Sequence, residues 1–189
     1  WLWMLILFTF VVQAVSYEFQ NKLGNILGPR VFQVCLVING IVGPLLLGGA
    51  VATFFDGSNF LVSKANITDS LQPVISRWAN ASNGLDALLD IWNVLFGLSV
   101  FFLARVLGAL YILNNVADDV LRQRCRRQVL GNVGAFLILF LTYFVRTLLK
   151  DGYAYDPLTG TIAMEPYKYL HNLLTMWPLL VLFVIGVGL

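Results

Sequence analysis

The sequence predicts an all-α protein, a polytopic transmembrane helix bundle of about five membrane segments, on three observations. Long apolar runs recur near residues 1–17, 31–55, 91–114, 129–149 and 170–189. A bilayer core takes roughly 20 helical residues to cross, and the three middle runs reach that length. Hydrophobic residues make up 59% of the chain and charged residues only 12%, where a soluble domain carries about 25% charged residues. Mean hydropathy is +0.80. Finally, the runs are continuous and lack period-2 alternation. A backbone inside lipid must satisfy its own hydrogen bonds, so helices are expected over a closed barrel.

The chain reads as one transmembrane domain, 1–189, cut from a longer protein. Trp1 opens in mid-segment without an initiator Met, and Leu189 ends inside an apolar run. A signal peptide pattern is not visible from such a start. After the first run comes a short loop with Lys22 and Arg30. Gly28-Pro29 then suits a helix start, and Pro44, lacking a backbone donor, is expected to kink the second run. The loop 56–90 is long for a simple connection. Within it, 71–78 is expected to form a short interfacial helix anchored by Trp78, and Asn66-Ile67-Thr68 and Asn80-Ala81-Ser82 match the glycosylation acceptor pattern. The third run contains Arg105. The third loop concentrates Arg122, Arg124, Arg126 and Arg127, and the fourth sets Lys150 and Lys168 against Asp151, Asp156 and Glu165.

Counting Lys and Arg by loop orients the bundle. Loops one and three are expected on the cytoplasmic side and loops two and four outside. The cluster Arg122, Arg124, Arg126 and Arg127 is therefore read as topology-setting, in preference to binding anionic lipid or nucleic acid. A net charge of +2 says little about a partner, and without a basic-aromatic patch no nucleic acid is expected; the lipid bilayer is the expected surrounding.

No residue is assigned a catalytic, cofactor-binding or metal-ligating role. Arg105 is the most suggestive position, a candidate buried charge within an apolar run. An arginine there costs roughly 2.5–3.5 kcal/mol and usually faces a protein interior, so a carboxylate, propionate or carbonyl partner is expected. Snorkelling along about 13 Å of helix would strain the side chain. Ala104 and Gly108 form a small-xxx-small pair that suits close helix packing. Asn39 can bond across helices or back to its own backbone, the second at least as readily. His171, at a segment edge among Tyr167, Tyr169 and Trp177, reads as part of an interfacial belt in preference to a haem ligand. Cys35 and Cys125 fall at different depths, which argues against a disulfide, and neither belongs to a metal pattern. Phosphate-loop, nucleophile and paired intramembrane carboxylate motifs do not occur.

In order and spacing, several stretches resemble subunit II of the bacterial cytochrome bd quinol oxidases. They are Trp3-Met4-Leu5-Ile6-Leu7 with Ser16-Tyr17-Glu18-Phe19, the run from Asn39 through Gly43-Pro44 to Ala52, Asn59-Phe60, the run from Leu103 through Arg105 to Tyr111, the arginine-rich loop, and Lys150-Asp151-Gly152-Tyr153. The resemblance spans essentially the whole chain and implies the middle helices of about nine. It implies an accessory subunit in a complex of the bacterial cytoplasmic membrane that oxidises quinol and reduces dioxygen to water. Haem b and haem d would then be held by subunit I, the partner, with a structural quinone on subunit II in some members. The acidic residues of the family's proton route lie upstream of Trp1, and members without an arginine at position 105 leave its role uninherited. A secondary transporter or a structural membrane scaffold are the alternatives; the absence of inverted repeats stands against the transporter.

Overall fold

The computed structural model describes residues 1–22, 24–62, 76–156 and 160–188. In chain order these form α1 (Leu2–Phe19), α2 (Pro29–Asp56), β1 (Phe60–Val62), β2 (Ser76–Trp78), a 3-10 turn (Leu85–Leu89), α3 (Ile91–Asn115), α4 (Asp119–Leu148), β3 (Gly152–Tyr155), β4 (Ile162–Glu165), α5 (Lys168–Thr175) and α6 (Trp177–Gly188). Helices α1 to α4 are each long and apolar enough to cross a membrane, and α5 with α6 make a fifth if the bent pair is one span. The chain is an all-α polytopic membrane bundle with two small hairpins in its connections. It divides into two compact units, Trp1–Phe140 and Leu141–Leu189, with the boundary inside α4.

In the first unit α2 packs against both α1 and α3. Its apolar core is small, formed by Leu2, Ile6, Leu46 and Ala50 with Val42 and Leu88 against it. Large side chains such as Phe8, Phe54, Leu130 and Ile138 are instead exposed. A water-soluble chain would not leave such a surface bare; here lipid or neighbouring helices cover it. Helix α2 begins with Pro29 in its first turn after Gly28 at φ 78°, as the missing proline donor allows. It continues as one helix through Pro44. Helix α3 starts at Asp90, whose Oδ1 accepts from the Trp92 and Asn93 amides at 2.8 and 3.3 Å, an N-cap that satisfies two otherwise orphaned donors.

Three expectations need correction. The arginine-rich stretch is helix, since Arg122, Arg124, Arg126 and Arg127 all lie within the first turns of α4 and only three residues, Val116 to Asp118, separate α3 from α4. Two aspartates explain this. Asp118 Oδ1 accepts from the Leu121 amide at 2.9 Å, and Asp119 sits in the first turn, 3.8 Å from Arg122. Negative charge there offsets the arginines that crowd the positive end of the helix dipole. Residues 76–78, expected as helix, form β2, which pairs antiparallel with β1 in the register Phe60–Trp78, Leu61–Arg77, Val62–Ser76; 71–75 and the Asn66 triplet lie outside the described residues.

The third correction falls in the second unit. The last apolar run is two helices, α5 and α6, bent by 94° across Met176. Pro178, at the second residue of α6, cannot donate to the carbonyl four residues earlier, and its ring disfavours helix before it. The chain reaches α5 through the β3–β4 hairpin, paired from Gly152–Glu165 to Tyr155–Ile162. Lys168 and Tyr169 lie so close to Gly152 that a Cβ there would sit 2.9 Å from the Lys168 Cβ. Phe144 and Phe183 stack with centroids 4.5 Å apart.

Candidate functional site

Four features of the first unit fasten its elements, one by close packing and three by polar bonds. The tightest helix contact is between α2 and α3. A Cβ on Gly97 would lie 2.6 Å from the Leu45 carbonyl oxygen, and one on Gly48 would lie 2.7 Å from the Gly97 Cα. Only glycine fits at both positions. Ser99, fully buried next to this crossing, turns its hydroxyl to its own helix and donates to the Phe96 carbonyl at 2.7 Å. The pair Ala104 and Gly108 is differently placed: a Cβ on Gly108 meets nothing within 4 Å.

The second feature lies between α1 and α2. Asn39, only 4% exposed, donates from Nδ2 to Gln13 Oε1 at 2.9 Å. The bond crosses helices, so the cross-helix option for Asn39 is the one realised, with Gln13 of α1 as the partner. A side groove of about 450 Å³ opens beside this pair, lined by Gln13, Asn39, Gly40, Pro44, Ala104 and Leu107 among others. Pro44 has no N–H for the Gly40 carbonyl, which adds a backbone acceptor to an otherwise apolar wall.

The third feature joins α3 to α4. Arg105 is exposed within the chain, and its Nη2 donates to Gln128 Oε1 at 3.1 Å while its guanidinium carbon lies 5.7 Å from the Phe101 ring centroid. Its partner is thus an amide carbonyl. Asn132, 8% exposed, donates to the Gln128 backbone carbonyl at 2.6 Å and approaches Oε1 at 3.4 Å. Position along the hairpin matters here. Arg105 is ten residues before the end of α3, and Gln128 is nine residues into α4, so at 1.5 Å per residue both lie about 14 Å from the connecting turn. Gln128 adjoins the arginine-rich turns and directly precedes the apolar run from Val129. Arg105 therefore shares the level at which α4 changes from charged to apolar.

At the other end of α3, Asp86 gathers the segments that precede β1 and follow β2. It accepts from Asn59 at 2.6 Å, Ser82 at 2.9 Å and Asn80 at 3.3 Å. The bond from Asn59, then that from Ser82, holds its carboxyl below the usual aspartate range. Asn80, read from sequence as a glycosylation acceptor, is one of these donors. A polar cavity of about 170 Å³ lies beside it, lined by Asp56, Asp86, Asp90 and Asn93 among others. Asn93 donates to the Ala87 carbonyl at 2.8 Å, and its buried Oδ1 has no partner among the described residues.

In the second unit Glu165 is the hub. It accepts from Lys168 at 2.7 Å, and His171 Nδ1 lies 3.0 Å from its other oxygen. The Lys168 bond, then that of His171, holds the Glu165 carboxyl below its ordinary value. The His171 side chain is 68% exposed and directed to a carboxylate. Among the described residues no three His, Cys, Asp or Glu side chains are placed to hold a metal together, and Cys35 and Cys125 are free.

What fold and polar features define is a multi-pass membrane protein whose helices are fastened by close glycine packing and a few interhelical amide bonds. Its family is more specific. The cytochrome bd terminal oxidase subunit II family matches the chain over residues 1–189, and the chain belongs to that family. No curated protein matches it. The chain is thus a subunit of a membrane terminal oxidase, an oxidoreductase complex that implies haem and a partner subunit I.

Proposed function

We propose that the chain is the accessory, non-haem-ligating subunit of a quinol:dioxygen oxidoreductase in the bacterial cytoplasmic membrane. The partner subunit I oxidises quinol and reduces dioxygen to water on haem b and haem d, and this chain completes the membrane core around it. The observation that carries the reading is the match of the subunit II family to all 189 residues. The donor set is sparse: the chain has a single histidine, set at the start of α5 beside Glu165. The exposed apolar flanks of α1, α3 and α4 suit burial against a partner and lipid, and a quinone is a further candidate occupant of the apolar surfaces.

Within this role Arg105 is a fastening residue. It ties α3 to α4 at the polar-apolar boundary, where its charge reaches the interface across the neighbouring helix and need not climb its own. Ala104 and Gly108 offer an unfilled small-residue surface for a further helix. The arginines at 122, 124, 126 and 127 orient the α3–α4 turn to the cytoplasm; a cysteine replacing Arg124 that reacts with an impermeant reagent from outside intact cells would overturn this orientation.

The function is tested by tagging the full-length gene product, purifying it from its own membranes and recording a reduced-minus-oxidised visible spectrum. Bands of b haem and the red-shifted band of haem d, carried by a co-purifying subunit, are expected. A folded, intact and colourless preparation would contradict the proposal.

A further inference from the structure

We propose that the α4 face bearing Arg124, Arg127, Gln128, Gly131 and Asn132 binds the phosphate headgroup of an anionic phospholipid. These residues line an open groove of about 490 Å³. Their spacing of three, four and seven places them on one side of the helix. Arg122 has a carboxylate neighbour in Asp119 at 3.8 Å. Arg124 and Arg127 have none among the described residues, and both are exposed. Two guanidinium forks one turn apart match the geometry of a phosphodiester, since each can donate paired N–H groups to two oxygens.

The remaining groups are arranged for an acceptor ligand. Gln128 Oε1 is already committed to Arg105 and approached by Asn132, which turns the amide so that Nε2 presents its two donors. A Cβ added to Gly131 would meet nothing within 4 Å, so the floor of the groove is bare backbone that leaves room for a headgroup. Orienting a membrane protein requires only positive charge close to the segment end. A face with two unpaired arginines, a clamped amide and a glycine floor is more than that rule demands.

The occupant follows from where the groove lies. It straddles the change from arginine-bearing turns to the apolar run starting at Val129, and one to two turns farther along the helix Ile138 is 69% exposed. A phosphate with acyl chains attached satisfies both halves, whereas a soluble phosphate uses only the first. The two uncompensated positive charges favour a net anionic lipid over a zwitterionic one.

The test uses the intact detergent-solubilised complex, titrated with phosphatidylglycerol or phosphatidylcholine and read by native mass spectrometry. Phosphatidylglycerol should be retained in preference to phosphatidylcholine. Arg124→Gln and Arg127→Gln should each weaken its retention about fivefold, the value of one cation at an anionic surface. Gly131→Leu fills the groove without altering charge and should weaken it comparably, while Arg122→Gln, off the groove, should change it less than about twofold. The double variant Gln123→Arg/Arg124→Gln keeps the charge count, and so the orientation signal, and should still lose retention. Equal losses in Arg122→Gln and Arg124→Gln, or no preference between the lipids, would overturn the site. Displacement of phosphatidylglycerol by millimolar inorganic phosphate would overturn the lipid assignment in favour of a soluble anion.

Discussion

The α2–α3 crossing and the α3–α4 approach join the same helix to its two neighbours by opposite means. At the first, glycines face backbone and the Val100 side chain, and backbones meet so closely that a Cβ on Gly97 would lie 2.6 Å from a carbonyl oxygen. At the second, long polar side chains span the gap, Arg105 to Gln128 at 3.1 Å. Lipid tails are as apolar as leucine, so helices in a membrane gain little from hydrophobic burial and associate through packing and polar bonds. The glycine crossing cannot adjust, because its obstacle is backbone. The arginine contact can, because two flexible side chains share it.

That contrast is broken most severely at Gly97. Gly97→Ala should cost about 3 kcal/mol, the upper range for overpacking against atoms that cannot move, and should lower the yield of assembled complex and its thermal midpoint in detergent. Gly108→Ala is the matched control and should leave both unchanged, since open space receives the new methyl group. A tolerant Gly97 would mean that α2 and α3 are not so closely apposed.

Next in size is the buried amide pair. Asn39→Leu or Gln13→Leu should each cost about 1 kcal/mol, and the double replacement should cost less than their sum, as expected when one bond is lost. Additive costs in a double-mutant cycle would show that the two side chains do not interact. A smaller effect, about 0.6 kcal/mol, is expected for Arg105→Gln, with oxidase turnover retained and the loss absent in a Gln128→Leu background. Loss of turnover without loss of assembly would give Arg105 a part in the chemistry that the Gln128 contact does not suggest.

The smallest effect concerns pH. The folded Asp86 carboxyl lies below its unfolded value, so its contribution is fully present above about pH 4 and is lost as pH falls through the folded value. Amide exchange around Asn59 and over residues 80–86 should therefore rise on acidification below about pH 4, and Asp86→Asn should abolish that rise. An unchanged pH response in Asp86→Asn would assign the effect to another group.

The bundle was legible because lipid imposes one rule on long apolar runs: cross as helix or do not cross. What escaped the sequence were features where that rule lapses. Asp118 and Asp119 carried an N-terminal cap signal ahead of the arginines, but the density of charge read as loop, and the helix in fact extends past the apolar run. Pro178 carried the signal for the break at Met176, hidden by the hydrophobicity around it. Residues 76–78 pair as a strand because β1 is available to them, a tertiary circumstance with no local signature. Among the candidate residues, Arg105 stood out from its apolar neighbours, yet its partner did not. Gln128 is nearest to Arg105 only because a three-residue turn folds α4 back along α3. Gln13 was equally silent until Asn39 lay opposite it.

The central claim is that the redox centres belong to the partner and that this chain supports them. The most direct measurement is the haem content of the purified complex carrying His171→Ala, read as b- and d-type bands in the reduced-minus-oxidised spectrum against protein. The account predicts both bands at the unaltered ratio, because it assigns every haem ligand to the partner and leaves His171 to its contact with Glu165. Loss of either haem band from an otherwise assembled complex would contradict it and make this chain a ligand donor.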